Sequence, residues 1–100
     1  MAVTVGRFDE MAWQPGAHPL ERKKPIAGRS VVLLEFAPGF EDPNWCERGH
    51  VLYCLDGELA TELADGRTFI LKPGMSYQVA DGAEPHRSRT ATGAILFIVD

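Results

Sequence analysis

The sequence predicts an all-β domain, a sandwich or barrel of short strands, and three observations carry that expectation. Short apolar runs rich in β-branched residues recur along the chain, and each stops at a cluster of Gly, Pro or Asp. No stretch keeps the helical period of about 3.6 residues over three turns. The 100 residues suffice for one core and divide poorly into two.

In chain order, residues 1–28 are the least regular. Met11 to Gln14 reads as a short strand, and His18 to Ala27 is interrupted by Pro19 and Pro25. This segment is expected to wrap the barrel or serve as an edge, because Pro cannot donate to a sheet ladder. Residues 29–100 are expected to form the barrel. Its first strand is Ser30 to Phe36 (SVVLLEF), stopped by Ala37-Pro38-Gly39. After an irregular stretch come His50 to Leu55 and Glu58 to Leu63, ended by Asp56-Gly57 and Asp65-Gly66. Each Asp-Gly pair suits a tight hairpin, since Gly accepts positive φ without steric cost. Arg67 to Leu71 ends at Pro73-Gly74, Ser76 to Ala80 ends at Asp81-Gly82, and Ala94 to Val99 is an apolar run fit for a buried strand. Evenly spaced turns favour a meander or jelly roll that curls to protect its edges.

Composition narrows the partners. A net charge of -4, with Lys and Arg scattered apart from Arg22-Lys23-Lys24, leaves no basic face, so nucleic acid is not an expected partner. No apolar run approaches the roughly 18 residues of a membrane span, and the first residues, MAVTVGRFDEMAW, are acidic where a secretory signal is apolar. A membrane is therefore not expected, and the cytoplasm is the expected compartment. Cys46 and Cys54 make no disulfide framework and are read as free thiols.

Side chains alternate faces along a strand, so His50, Leu52 and Cys54 share one face and Val51, Tyr53 and Leu55 the other. Both faces are largely apolar. One should look into the barrel, the other toward the N-terminal segment or a second subunit, which makes a homodimer the expected assembly. Two loops bring polar groups beside these strands, Asp42 to Glu47 and Glu84-Pro85-His86. A single His is more often a hydrogen-bonded structural residue, and a single Cys a small buried hydrophobe.

The stretch HVLYCLDGEL (50–59), with Pro73-Gly74 and Pro85-His86, resembles the two-motif core of single-domain cupins, the RmlC-like jelly roll, over about residues 30 to 100. WCERGH together with PGMSYQVADGAEPHR is similar to a subgroup of small cupins known by an Asp/His/Cys/Trp motif. The resemblance implies a double-stranded β-helix barrel with a metal inside it. In many cupins the first motif reads H-x-H-x-x-x-E and the second supplies one more His. Counted back from Gly57, the Glu position holds His50, the second His position Cys46 and the first Asn44, while His86 falls on the second-motif His. Met75 stands where an acid is common, and Thr90 where Asn is usual.

The implied ligand set is Cys46, His50 and His86, with Asn44, water or substrate in a fourth position. One thiolate and two imidazoles suit Zn²⁺ first, and iron, nickel or copper next. Glu47 and Asp42 are candidates for a general base or a supporting carboxylate, and Glu47 and Tyr77 for catalysis. Tyr77 and Gln78 alternate, so only one of them faces the interior. Trp45 either walls the pocket or packs against it. The expected function is that of a metal-dependent enzyme acting on a small molecule. The alternatives are a non-catalytic small-molecule binding or sensing module and a barrel acting through its surface.

Overall fold

The computed structural model describes residues 3, 5–26 and 31–100 of the chain. Among these residues nine strands follow one 3-10 turn at Phe8–Glu10: β1 Gln14–Pro15, β2 Glu21–Pro25, β3 Val31–Phe36, β4 His50–Gly57, β5 Leu59–Leu63, β6 Thr68–Leu71, β7 Ser76–Val79, β8 His86–Arg89 and β9 Ala94–Val99. They form two antiparallel sheets, one of six strands in the order β1-β2-β3-β9-β4-β7 and one of three in the order β6-β5-β8. Among the described residues no helix is long and apolar enough to cross a membrane.

Alternation builds the core between the sheets. Leu34 and Phe36 of β3, Leu52 and Cys54 of β4, and Ala94, Leu96 and Ile98 of β9 face inward from the large sheet. Leu59 and Leu71 face them from the small sheet, and Phe40 stacks flat on Phe36 with ring centroids 3.9 Å apart. Leu59, Leu96 and Cys54 are wholly inaccessible. Cys54 is therefore a structural thiol, and its burial pushes its pKa up. On the outer face, Phe8 meets Phe97 edge-on and the Lys24 ammonium donates to the Phe8 carbonyl at 2.5 Å. The N-terminal segment thus covers part of that face, while Val51, Tyr53, Leu55 and Val99 stay more than one-third exposed.

Several local expectations need correction. Met11 to Gln14 is not a strand, and the first pairing residues are Gln14 and Pro15, bonded to β2. Pro25 does not interrupt its stretch but ends β2, paired along its length with β3, and β1 and β2 lie at one edge of the large sheet. Asp56-Gly57 is not a hairpin turn. β4 continues through it on β9, with Leu55 left over as a bulge between the pairs Cys54–Leu96 and Asp56–Ile95. The positive φ of Gly57, 77°, brings the chain out of that bulge into the other sheet, so that β4 and β5 lie in different layers. Asp65-Gly66 does close the β5–β6 hairpin. Ser30 and the 28/29 boundary fall outside the described residues.

Candidate metal centre

His50 opens β4 and His86 opens β8, so the two imidazoles come from opposite sheets and meet inside the barrel. The loop carrying Cys46 is fixed to β8 by a reciprocal backbone pair: Cys46 N–H donates to the His86 carbonyl at 2.7 Å, and His86 N–H to the Cys46 carbonyl at 3.0 Å. Side chains of such a hydrogen-bonded pair point to the same side of the ladder. Asp81 accepts the Gly49 N–H at 2.5 Å and anchors the loop just ahead of His50. The donor atoms of Cys46, His50 and His86 lie within 4.8 Å of one another and can hold a metal ion. His86 is buried and the His50 side chain is 10% exposed.

The hydrogen bonds assign the tautomers. His86 Nδ1 sits 2.9 Å from the Glu84 carbonyl, which only accepts, so Nδ1 carries the proton and Nε2 bears a lone pair. His50 Nδ1 faces the Asp100 carboxylate at 3.4 Å, an acceptor again, and Arg48 holds that carboxylate from its other oxygen at 3.2 Å. His50 Nε2 is then the free nitrogen, accepting the Tyr77 hydroxyl at 2.8 Å. The two free nitrogens stand 3.1 Å apart. In this tautomer no proton stands between them: the one lone pair of His50 Nε2 takes the Tyr77 hydroxyl, and that of His86 Nε2 is open. Burial, and then the neighbouring His86, lower the pKa of His50 below its ordinary 6.5, which favours the neutral ring that a metal needs. Both nitrogens are within reach of one ion together with the Cys46 thiol. Two imidazole nitrogens at 2.0–2.1 Å from one tetrahedral Zn²⁺ stand about 3.3 Å apart, and each Nδ1–H already has its outer acceptor.

Tyr77 faces inward, where burial first and then Cys46 and Asp100 raise its pKa far above the ordinary phenol range. It is a neutral hydroxyl in the site. Gln78 is exposed. Glu47 is exposed as well and stands outside the group of donors, its backbone carbonyl taking the Gly82 N–H at 2.8 Å. Asn44 is exposed, with its N–H on the Asp42 carboxylate at 3.0 Å, so Asp42 serves its own turn. Trp45 lies under the Arg87 guanidinium, 4.2 Å from its ring centroid. Thr90 is buried and structural, donating to the Glu58 carbonyl at 2.6 Å and accepting the Gly93 N–H at 3.0 Å. Sequence reasoning missed Asp100, Arg48 and the Glu84 carbonyl, whose places depend on long-range packing.

No family model and no curated protein sequence matches the chain. Solved structures do match. The polyketide cyclase RemF from Streptomyces resistomycificus superposes with a TM-score of 0.80 at 21% identity, covering 98% of this chain and 78% of that one. An RmlC-like cupin from Shewanella frigidimarina gives 0.76 at 18% identity, covering 97% and 88%. This chain has the cupin fold. Ectoine synthase from P. lautus gives 0.75 at 21% identity, covering 96% and 75%. Cupin-fold neighbours thus include enzymes, and the fold places the Cys46, His50 and His86 cluster inside the barrel.

Proposed function

We propose that this cupin-fold chain is a metal-dependent enzyme acting on a small molecule, with one ion held by Cys46, His50 and His86. The observation that carries the reading is the pair of free imidazole nitrogens facing each other at 3.1 Å, each with its other nitrogen tied to an acceptor. A Zn²⁺ there would polarise a carbonyl oxygen or make water acidic enough to attack. Tyr77, held protonated by burial, supplies a hydrogen-bond donor beside the ion. Asp100 orients the His50 ring through Nδ1, and the Glu84 carbonyl does the same for His86. Tyr77 and His86 also line a cavity of about 300 Å³.

The test is hydrolysis of a generic activated ester, para-nitrophenyl acetate, by the metal-loaded protein. The rate should fall to background on chelation and return with added Zn²⁺. A rate indifferent to chelation would instead favour a non-catalytic binding module. Asp100→Ala is expected to weaken metal affinity by roughly 10–100-fold, as loss of such outer partners does, measured by competition with a chromogenic chelator. Protons compete for all three ligands, so affinity should decline with acidity. The lowered pKa of His50 keeps it neutral at pH 7 and delays its part of that competition below 6.5. Dialysis should therefore retain the ion at pH 7 and strip it as the pH falls toward about 5.

A further inference from the structure

The cavity beside the metal centre, about 300 Å³, is at the small end of ligand pockets, which run from roughly 300 to 1,000 Å³. Its wall includes Thr61, Leu63, Phe69, Tyr77, Val79 and His86. Strand pairing explains the grouping: Thr61 stands opposite Phe69 across β5–β6, and Leu63 opposite His86 across β5–β8, so all four share the inner face of the small sheet.

Three features restrict what the cavity accepts. Thr61 is 2% exposed and its Oγ1 has no hydrogen-bond partner among the described residues. A buried hydroxyl without a partner is rare and forfeits its hydration for nothing, unless a ligand oxygen meets it. Phe69 is 48% exposed although it stands on the inner face, which leaves an aromatic ring open to the cavity. At the rim, the Arg67 guanidinium is bound by both Asp65 and Glu84, each at 2.8 Å. Its charge is already paired, so this guanidinium is not free to receive an anionic ligand.

We propose that the cavity takes an uncharged small molecule with a flat apolar body and a single hydroxyl or carbonyl oxygen, and that Thr61 selects for that oxygen. The apolar body lies against Phe69, Leu63 and Val79, and the Thr61 hydroxyl donates to the ligand oxygen. Thr61 is a specificity-determining residue: it grips the ligand and leaves the metal-facing side of the cavity to His86 and Tyr77. This assignment rests on the reading of the site as a small-molecule chamber and names the class of molecule it receives.

Phenol, toluene and benzoate serve as probes, titrated by NMR into the zinc-loaded and the metal-stripped protein. In the wild type phenol should bind about tenfold more tightly than toluene, the order of one neutral hydrogen bond, and benzoate more weakly than phenol. Thr61→Val, isosteric and rid of the unpartnered hydroxyl, should bring phenol down to the affinity of toluene. Thr61→Ser should keep the preference. Equal affinities for phenol and toluene in the wild type, an unchanged preference in Thr61→Val, benzoate as the tightest ligand, or no binding of any probe would each overturn the assignment. Phenol selectivity in a protein that takes up no metal would defeat the metal reading alone, and a loaded protein without selectivity would defeat this one alone.

Discussion

Replacing His86 with alanine is expected to abolish stoichiometric metal binding while the barrel still folds. The side chain supplies one of the two nitrogens that face each other at 3.1 Å, and its backbone pair with Cys46 remains in the variant. The loss should therefore exceed the roughly 10–100-fold expected for an outer partner such as Asp100. The apo protein should lose less. His86→Ala leaves a small void and an unpaired Glu84 carbonyl, worth about 1–3 kcal/mol. Metal content after gel filtration, read beside thermal unfolding of the apo variant, separates the two effects. A variant that retains one ion per chain would show that the imidazole is structural.

The largest effect on stability is expected from Gly57→Ala. Gly57 has φ 77°, which costs an alanine about 1–2 kcal/mol by itself. A β-carbon there would also overlap the Gly93 carbonyl oxygen and come to 2.8 Å of Ala94 Cα, both backbone atoms with no room to yield. The clash falls where β4 passes its bulge and leaves β9, so relief requires opening that seam of the core. The total should exceed about 4 kcal/mol, the mark of a severely destabilised variant. Gly66→Ala is the matched control, with φ 96° and, among the described residues beyond its chain neighbours, no atom within 4 Å of the added carbon. It should cost only the conformational part, a fall in melting temperature of roughly 4–8 °C per kcal/mol for a domain of this size. Equal losses in the two variants would contradict the bulge as described.

These two glycines show what was legible in the sequence. Asp65-Gly66 and Asp56-Gly57 look alike as dipeptides, yet one closes a hairpin and the other leaves a bulge for the opposite sheet. The difference lies in which strand is the partner, and local chemistry does not encode that. The apolar strands β3, β4 and β9 were readable because burial imposes a two-residue period or a continuous apolar run. β2 (ERKKP) and β8 (HRSR) were not, because their charged side chains pair outward. Arg22 meets Glu35 at 2.6 Å, and Arg87 and Arg89 meet Glu62 at 3.2 and 3.1 Å. At the site, Cys46 and His50 stood out by residue type and position relative to Gly57, and His86 by its place after Pro85, whereas strand alternation left Tyr77 and Gln78 as alternatives for the inner face. Asp100 carries no signal of its own, because its role depends on β9 ending beside the start of β4. Thr61 was equally silent. A threonine in a strand is ordinary, and only its missing partner within a cavity marks it.

The most direct test of the metal centre is X-ray absorption at the zinc edge of the wild-type protein loaded with one equivalent of Zn²⁺. The arrangement of Cys46, His50 and His86 predicts one sulfur scatterer at about 2.3 Å and imidazole nitrogens at about 2.0–2.1 Å. Cys46→Ser should remove the sulfur contribution and keep the nitrogens. A spectrum of oxygen and nitrogen scatterers alone, unchanged by Cys46→Ser, would contradict the account.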